Sequence, residues 1–339
     1  MKTVYVGMSG GVDSSVTALL LKEQGYNVVG IYMKNWSEDL PGMKCPWAED
    51  LADAKRVAVK LGIDFKVWDF EESYREKVVE YMLDEFKKGN TPNPDVMCNQ
   101  EIKFKLFYEK AMEEGADFIA TGHYARIIDG KLARAVDKNK DQTYFLYRIS
   151  EEALEHTLFP IGGMKKPEVK KLAEKNGLHN AYKKESMGVC FVGEVGMKDF
   201  LKKYIDAEPG EIREVETEKV LGYHEGAVFY TIGQRHGLYI AAEVPYYVVK
   251  KDVKKNIVYV SKNLNNSELW TDALELKDLM MRDKATEQVQ VRLRHRAPLI
   301  PATFDGKTLK FEYEIKRPAS GQSAVLYDNE ICLGGGIIA

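Results

Sequence analysis

Residues 5–15 read YVGMSGGVDSS, and this stretch decides how the first part of the chain folds. Its adjacent glycines, Gly10 and Gly11, separate an apolar run typical of a buried strand from a segment with the periodicity of a helix. A loop that leaves a strand and opens a helix directs backbone N–H groups and the positive end of the helix dipole at one point. Glycine has no Cβ, so a ligand can approach the backbone closely there. The stretch therefore predicts a binding site for an anionic group such as a phosphate.

The spacing of the glycines excludes two common phosphate-binding loops. The P-loop requires GxxxxGK[ST], whereas no lysine follows these glycines. The dinucleotide fingerprint requires GxGxxG, whereas the glycines here give GxxGG. The hydroxyls of Ser9, Ser14 and Ser15 add hydrogen-bond donors. The loop thus has the properties of a phosphate site but belongs to neither of these types.

Strand-like and helix-like patterns alternate over the first two hundred residues. The predicted strands are residues 3–8, 27–33, 64–70 and 117–122, and the predicted helices are residues 12–24, 48–61, 73–88 and 100–114. A glycine, the usual left-handed cap, follows each helix. This alternation predicts βαβ units and a parallel sheet, which binds its ligand at the carboxyl ends of the strands.

The pattern changes after about residue 136. Residues 125–136 predict a hairpin with an Asp-Gly turn, and residues 165–178 predict a short amphipathic helix. From about Gly210, short alternating runs predict antiparallel β structure and then a small barrel. We therefore predict an α/β fold class with a parallel-sheet catalytic domain over residues 1–205, a β-rich central module over 206–275 and a C-terminal β-barrel over 276–339.

Composition and charge restrict the possible functions. A net charge of −3 disfavours a protein whose whole surface binds nucleic acid, although residues 160–205 hold ten lysines against five acidic residues. A solvated helical face is the favoured interpretation of this cluster, and contact with a phosphate backbone is the alternative. His156 and His179 have no matching partners and are predicted to be surface residues. Short apolar runs and the lack of a secretory signal predict a cytoplasmic protein that does not enter a membrane.

The four cysteines form neither a disulfide framework nor a structural zinc pattern. Cys98 lies near the start of the fourth predicted helix, where the helix dipole favours a thiolate. Cys190 lies on a predicted loop, and we expect Cys98 and Cys190 to be exposed and to meet in space. Cys45 is expected in a loop and Cys332 in the core, and neither is assigned a role in the chemistry.

The hexapeptide SGGVDS, residues 9–14, is the signature of the PP-loop ATP pyrophosphatases, which hold ATP in this loop and cleave it between the α and β phosphates. Six further motifs resemble, in order, those of the tRNA-specific 2-thiouridylases: TPNPDVMCN (91–99), TGHYAR (121–126), NKDQTYFLY (139–147), GVCFVGE (188–194), GQRHGL (233–238) and RPASGQSAVLYDNEICLGGG (317–336). The resemblance spans essentially the whole chain. It implies a tRNA-uridine 2-sulfurtransferase, which replaces the C2 oxygen of the wobble uridine in tRNAs of the lysine, glutamate and glutamine type with sulfur.

The same resemblance implies which residues form the site. ATP would be bound by Gly7, Met8, Ser9, Gly10, Gly11, Val12, Asp13, Ser14, Met33 and Gly122. The target base would meet Asn93, Pro94 and Asp95, and further tRNA contacts would come from His123, Lys140, Asp141, Gln142, Arg294, His295 and Gln322. The β-rich central module over 206–275 is also expected to bind tRNA. The family often has an Arg-Tyr pair where this chain has Arg294-His295. Because Asp13 is negative, it can face a triphosphate only through a cation, which implies Mg²⁺ with ligands that the sequence does not assign.

The implied reaction activates a poor leaving group. The uridine C2 oxygen attacks the α-phosphate of ATP, pyrophosphate leaves, and sulfur then displaces AMP. Cys190 would receive a persulfide sulfur from a donor protein, and Cys98 would complete the transfer by releasing hydrosulfide or by forming a disulfide with Cys190. Asp95 would orient the uridine or act as a general base, and Asp13 completes the predicted catalytic set. The alternative is a [4Fe-4S] cluster held by Asp95, Cys98 and Cys190.

Two rival functions have their own requirements. A PP-loop enzyme that forms amide or C–N bonds would need a glutaminase domain or an amino-acid pocket, and would have no use for the two cysteines. A catalytically silent RNA-binding protein would have no need of Asp13, Cys98 and Cys190. The partners that the resemblance implies are the anticodon stem-loop of tRNA, whose wobble base would be splayed out to reach the site, and a persulfide-carrying donor protein.

Overall fold

The computed structural model describes residues 1–39, 45–184, 196–282 and 287–339. The chain forms two compact units. Unit 1 comprises Met1–Val79, Pro94–Val195 and Tyr327–Leu333, and unit 2 comprises Glu80–Asn93, Gly196–Leu326 and Gly334–Ala339. None of the described helices is long and apolar enough to cross a membrane.

Unit 1 is built on a parallel sheet. Its strands are β1 (Thr3–Gly7), β2 (Asn27–Lys34), β3 (Asp64–Asp69), β4 (Phe118–Thr121), β5 (Ala125–Ile128), β6 (Lys131–Arg134) and β7 (Thr157–Leu158). Five of them form a parallel sheet in the order β3-β2-β1-β4-β7. Strands β5 and β6 form the predicted hairpin, and both turn residues, Asp129 and Gly130, have the positive φ that its Asp-Gly sequence favours. The predicted parallel α/β architecture is confirmed.

The helices follow the predicted alternation. They are α1 (Val12–Glu23), α2 (Trp47–Leu61), α3 (Glu71–Tyr74), α4 (Tyr81–Lys87), α5 (Pro94–Met97), α6 (Phe107–Glu113), α7 (Thr143–Leu146), α8 (Glu151–Glu155), α9 (Lys166–Lys175) and α10 (Met197–Tyr204). Two π-helical stretches, Arg75–Glu80 and Cys98–Leu106, join α3 to α4 and α5 to α6. The glycines after the four predicted helices all have positive φ, as a left-handed cap requires.

The fourth helical stretch begins earlier than predicted, at Pro94 instead of Gln100. Proline is compatible with the first turn of a helix, where its missing N–H would have no intrahelical partner. The segment that precedes this helical stretch is therefore shorter than predicted, and Asp95 and Cys98 both lie within the helical stretch.

The core of unit 1 lies between the sheet and its helices. Val4 and Val6 of β1 are fully buried and belong to one cluster with Val16 of α1 and Val57 of α2. Helix α1 is buried along most of its length, including Ser15 and other polar residues near its start. This packing fixes the beginning of α1 at the carboxyl end of β1, where the glycine loop lies.

Unit 2 is predominantly β structure. Its strands are β8 (Gly210–Glu214), β9 (Val220–His224), β10 (Tyr247–Asp252), β11 (Ile257–Ser261), β12 (Trp270–Met281), β13 (Gln288–Arg292), β14 (Ile300–Phe304), β15 (Thr308–Lys316), β16 (Ser323–Asp328) and β17 (Ile331–Ile338). The end of β16 and the start of β17 fall within the Tyr327–Leu333 segment of unit 1. Short 3₁₀ helices span Ala227–Phe229 and Ser267–Leu269. Strands β12–β17 run in the order β12-β15-β14-β13-β16-β17, and pairing of β12 with β17 closes the predicted barrel.

The remaining four strands form a sheet in the order β10-β11-β8-β9. The prediction of purely antiparallel structure is wrong here, because β8 and β11 pair in parallel. Parallel neighbours need a long crossover, and the chain between Glu214 and Ile257 supplies it.

Candidate active site

The glycine loop is closed by hydrogen bonds between its own residues. The Ser9 N–H donates to Ser14 Oγ at 3.2 Å, and Ser14 Oγ donates to the Gly11 carbonyl at 3.1 Å. Gly10 has a φ of +77°, and a Cβ at this position would collide with the carbonyl of Asp50. Glycine is therefore required at residue 10 by both the backbone conformation and the close approach of helix α2.

Three predicted nucleotide-binding residues from different strands lie around the loop. A Cβ on Gly122, just after β4, would lie 2.6 Å from the backbone nitrogen of Ser14. A Cβ on Gly7 would lie 3.0 Å from Cε of Met33, which belongs to β2. Parallel strands end at the same edge of the sheet, and this arrangement brings Gly7, Met33 and Gly122 to the start of α1. Met8 and Val12 are buried, so we expect them to act through their backbone.

Asp13 is held by two residues that the sequence analysis did not assign. Lys166 Nζ donates to both carboxylate oxygens of Asp13 at 2.8 Å, and Tyr124 Oη donates to one of them at 2.9 Å. The Lys166 side chain is 9% exposed. The solvated-face interpretation of the lysine cluster is therefore wrong for Lys166, because this lysine is buried against a carboxylate. The only sequence signal that set Lys166 apart from the other lysines of the cluster was its position at the start of a predicted helix, directly before Pro167.

Residues 179–183 also stabilise the glycine loop through hydrogen bonds. Asn180 Nδ2 donates to the Gly10 carbonyl at 2.8 Å and to Ser15 Oγ at 2.9 Å. Lys183 Nζ donates to Asp50 at 2.7 Å and to Asp53 at 2.6 Å. Lys183 is thus a second lysine of the cluster that is bound to carboxylates. This segment therefore links helix α2 to the glycine loop.

His179 is exposed as predicted and His156 is half-buried, and the expectation that the two histidines lack partners is wrong. His179 Nε2 lies 2.9 Å from Asp53 Oδ1, and His156 Nδ1 lies 3.0 Å from the Glu152 carbonyl oxygen. Burial acts to raise the pKa of Asp53, but hydrogen bonds from Lys183 and His179 hold it below its usual value. Asp53 is therefore a stable anionic anchor for the segment behind the glycine loop.

Asp95 and Cys98 lie one helical turn apart, Asp95 in α5 and Cys98 at the start of the π-helical stretch. Burial raises the pKa of the half-buried Asp95 carboxyl, and the charge of Lys103 offsets part of this shift. Cys98 is 5% exposed, so the expectation of an exposed cysteine is wrong for it. Its thiol faces a packed interior because the helix starts at Pro94. A desolvated carboxyl beside a buried thiol is an environment suited to proton and sulfur transfer.

His123 lies between the glycine loop and this helix. It follows Gly122 and packs against Phe104, with ring centroids 5.8 Å apart, and against Phe159 at 6.4 Å. Its Nδ1 is 2.7 Å from Thr121 Oγ1, and burial lowers its pKa well below its usual value. The ring is 8% exposed, so its predicted tRNA contact, which stays a prediction, would start from a buried neutral imidazole.

The predicted tRNA contacts at residues 140–142 have different environments. Asp141 is 1% exposed, and it accepts a hydrogen bond from Thr143 Oγ1 at 2.9 Å. Gln142 Oε1 accepts from the backbone N–H of Tyr124 at 2.9 Å. Lys140 is half-buried. Asp141 and Gln142 thus stabilise the chain beside Tyr124, and their contact with tRNA stays a prediction.

Four more predicted tRNA-binding residues belong to unit 2. Gln322 Nε2 donates to the Thr91 carbonyl at 2.6 Å, and the Thr91 N–H donates to the Ser320 carbonyl at 2.7 Å. The barrel therefore holds the backbone that leads into Asn93, which is half-buried. Arg294 is exposed and His295 half-buried just after β13. Pro94, which follows Asn93 in the chain, is buried in unit 1.

Cys190 lies outside the described residues. Of the other cysteines, Cys332 is buried in β17 as expected, and Cys45 is half-buried with its backbone N–H bound to Asp39 at 2.8 Å. Within the described ranges, no three His, Cys, Asp or Glu side chains are grouped to hold a metal ion. Mg²⁺ needs only one or two carboxylates beside substrate phosphates. Asp13 fits that role, because its carboxylate already binds the cationic Nζ of Lys166.

Three family models match successive parts of the chain. Residues 2–194 match the tRNA methyl transferase HUP domain, residues 198–262 the tRNA methyl transferase PRC-barrel domain, and residues 271–338 the aminomethyltransferase beta-barrel domain. Together the models account for both the parallel sheet of unit 1 and the barrel of unit 2.

Full-length relatives carry a single name. The tRNA-specific 2-thiouridylase MnmA of Proteus mirabilis (strain HI4320) is 49% identical over 99% of this chain and 97% of its own length. The proteins of the same name from Listeria monocytogenes serotype 4b (strain CLIP80459) and Exiguobacterium sibiricum are each 47% identical over 99% of this chain, and 94% and 93% of their own lengths are covered. The chain therefore belongs to the tRNA-specific 2-thiouridylase family.

Proposed function

We propose that this protein is a tRNA-uridine 2-sulfurtransferase that uses ATP to thiolate C2 of the wobble uridine in tRNAs of the lysine, glutamate and glutamine type. The observation that carries the proposal is the loop of Ser9–Ser14, whose Asp13 is bound by Lys166 and Tyr124 and whose helix start lies against Gly122. The name shared by the full-length relatives supports the substrate. Methyl transfer, which the names of the matching domain families mention, would leave this ATP-type loop without a role in the reaction.

The glycine loop supplies binding and charge stabilisation for the triphosphate. Backbone N–H groups at the start of α1 and the hydroxyl of Ser9 lie where anionic oxygens would bind. Mg²⁺, held by Asp13 and the phosphates, would neutralise charge there. Lys166 lies beside the same carboxylate, so it adds a positive charge that the loop sequence itself lacks. These groups favour departure of pyrophosphate, on which negative charge accumulates.

The first chemical step is adenylation of the uridine. The C2 oxygen attacks the α-phosphorus, the bond to the β-phosphate oxygen breaks, and pyrophosphate leaves with the electron pair. Asp95, beside the predicted base-binding residues Asn93 and Pro94, would orient the base. Burial raises the pKa of this carboxyl, so it takes up a proton more readily than an exposed aspartate does. The product carries AMP on C2 as a good leaving group.

The second step transfers sulfur. The terminal sulfur of a Cys190 persulfide attacks C2, and AMP departs with the electron pair of the C–O bond. The Cys98 thiolate then attacks Cys190 Sγ, which forms the Cys98–Cys190 disulfide and leaves sulfur on C2 as the thiocarbonyl. In the variant route Cys98 attacks first and releases hydrosulfide, which then attacks C2. Both routes end with a disulfide that a dithiol reductant must reduce before the next turnover.

The wider interaction scheme follows from the same assignment. The anticodon stem-loop would present the wobble base, with contacts from His123, residues 140–142, Arg294, His295 and Gln322. A donor protein would supply the persulfide in the cytoplasm. The three-domain organisation, with boundaries at 1–205, 206–275 and 276–339, remains our proposal.

The experiment that tests this function measures pyrophosphate and thiolated nucleoside in one reaction. Purified protein is incubated anaerobically with ATP, Mg²⁺, a persulfide donor and unmodified glutamate tRNA, and the digested tRNA is analysed for 2-thiouridine by mass spectrometry. We expect pyrophosphate release that depends on tRNA, and 2-thiouridine at the wobble position without added iron. Thiolation that requires iron reconstitution would replace the persulfide route by the [4Fe-4S] route. Pyrophosphate release that requires a carboxylate and an amine would instead identify an amide-forming enzyme.

A further inference from the structure

The GQRHGL motif lies in a loop of unit 2 whose shape is fixed by its own hydrogen bonds. Gln234 is the centre of this loop, which comprises residues 231–239 and is called the Gln234 loop below. Gln234 Oε1 accepts from the Thr231 N–H at 3.1 Å, and its Nε2 donates to the His236 carbonyl at 2.8 Å. The Gly233 N–H donates to the carbonyl of Val248 in β10 at 2.8 Å. Hydrogen bonds therefore fix the conformation of the loop and bind its backbone to β10 of the four-stranded sheet.

This rigid loop directs its polar and aromatic side chains to solvent. Arg235 and His236 are exposed, and Arg235 Nε donates to His236 Nε2 at 2.9 Å. Tyr239 is 90% exposed and has a φ of +51°. Positive φ is an outlier for a bulky residue, and such strain persists at sites where function requires a particular side-chain direction. Burial of the ring cannot account for a tyrosine at this position.

Cationic groups surround the loop. Lys198 Nζ lies over the Tyr239 ring, 6.0 Å from its centroid, and over the Tyr230 ring at 5.4 Å. Lys316 Nζ lies 4.0 Å from the position of a Cβ on Gly233. The carboxylate of Glu225 is shared between Lys198 and Lys202, at 2.6 Å from each Nζ, so the three groups together carry one net positive charge. With Arg235, these lysines create a positive environment around an exposed aromatic ring.

We propose that the Gln234 loop binds the tRNA substrate, with Arg235 on a backbone phosphate and Tyr239 stacked on an unpaired base; this inference rests on the proposed function. An arginine fork matches the oxygens of a phosphate, and aromatic rings stack on unpaired bases in single-stranded parts of RNA. The fixed loop holds both groups in place before RNA arrives, which reduces the entropic cost of binding. A protein partner would more typically meet an apolar patch than a lone ring among cations.

The test measures tRNA affinity by fluorescence anisotropy at several salt concentrations, with the full-length protein and labelled unmodified glutamate tRNA. Tyr239→Gly removes the ring while its glycine accepts a positive φ, so loss of binding cannot be assigned to misfolding. We expect its Kd to rise about tenfold or more, and Tyr239→Phe to retain most of the affinity. Arg235→Gln should reduce the slope of log K against log salt by about 1. Tyr223→Ala, which removes another exposed ring (71% exposed) from β9 of the same sheet, is the control and should bind like the wild type.

Equal tRNA affinity for Tyr239→Gly and the wild type would overturn the inference. Loss of turnover driven by the donor protein, with tRNA affinity unchanged, would also overturn it and would assign the loop to the donor. A wild type that neither binds nor thiolates tRNA would refute the proposed function itself, so the two failures are distinguishable.

Discussion

Lys166 donates hydrogen bonds from Nζ to both carboxylate oxygens of Asp13, at 2.8 Å each. The two residues are 153 positions apart in the chain. The glycine loop lacks the lysine that the commonest phosphate loop carries after its glycines. Here the first residue of helix α9, Lys166, places a lysine side chain beside the loop. Because Lys166 is buried, its charge acts in a region of low dielectric, where it has a larger effect than in water.

Replacement of Lys166 tests whether this charge serves the reaction. We expect Lys166→Gln to lower the rate of tRNA-dependent pyrophosphate release about 100-fold or more, because the positive charge bound to Asp13 beside the glycine loop is lost. Lys170→Gln changes an exposed lysine of the same helix and should retain wild-type activity. A Lys166→Gln enzyme that releases pyrophosphate at the wild-type rate would limit Lys166 to a structural role.

Replacement of Asn180 tests whether its hydrogen bonds stabilise the glycine loop. In Asn180→Asp the side chain keeps its size but loses the N–H groups that bind the Gly10 carbonyl and Ser15 Oγ. We expect the free energy of unfolding to fall by about 1–3 kcal/mol, because buried acceptors lose their donor, and the KM for ATP to rise. Asn176→Asp at the end of α9 is the control, since Asn176 donates to the Leu172 carbonyl within its own helix. Urea denaturation and steady-state kinetics provide the two measurements, and an unchanged KM for ATP in Asn180→Asp would contradict the prediction.

Asp95 gives a pH-dependent prediction for stability. Burial raises its pKa in the folded protein, so the folded state favours the protonated carboxyl more than the unfolded chain does. The ionised carboxylate therefore destabilises the fold above the folded pKa, and this effect disappears as the pH falls below the unfolded value of about 4. We expect Asp95→Asn to unfold at a higher urea concentration than the wild type at pH 7, with the difference shrinking towards pH 4.

The activity of Asp95→Asn should fall although its stability at pH 7 rises. We expect Asp95→Asn to lose thiolation although it gains stability, as happens where a desolvated group is kept for function. A variant that is both less stable at pH 7 and fully active would show that Asp95 is neither desolvated nor needed.

Gln322 tests whether the barrel positions the residues before the base-binding segment. Gln322→Glu removes the N–H that binds the Thr91 carbonyl and places a carboxylate beside that carbonyl. We expect thiolation to fall about tenfold while the affinity for ATP is unchanged, because the disturbed segment leads to Asn93 and not to the glycine loop. If Gln322 serves only as a tRNA contact, Gln322→Glu should weaken tRNA binding and leave saturated turnover intact. Saturation kinetics with tRNA separate these results.

The parts of the fold that local sequence controls were predictable. The parallel sheet followed from alternating apolar runs, and each helix end followed from a glycine with positive φ, such as Gly62 after α2. The parallel pairing of β8 with β11 was missed, because register between strands separated by a crossover leaves no local pattern. The burial of Cys98 was missed for a related reason, since the helix starts at Pro94 and turns the thiol inward.

Site residues that belong to a sequence motif were predictable. Site residues that reach the loop only through tertiary contacts were not. Asp13, Gly122 and Met33 were assigned from motifs, and the structure brings them to one edge of the sheet. Lys166 and Asn180 were not assigned, because each reaches the loop across more than 150 residues of sequence. A lysine in a helix with many lysines looks like a solvated residue until its partner is known.

The most direct test of the central claim is a single-turnover thiolation assay on a gel that contains mercury, which retards tRNA carrying sulfur. Wild type, Cys98→Ala, Cys190→Ala and Cys45→Ala are compared anaerobically with ATP, Mg²⁺, a persulfide donor and unmodified glutamate tRNA. We expect a retarded band for the wild type and Cys45→Ala, and none for Cys98→Ala or Cys190→Ala, while all four release pyrophosphate when tRNA is present. A retarded band of wild-type intensity from Cys98→Ala or Cys190→Ala would show that the missing cysteine does not take part in sulfur transfer.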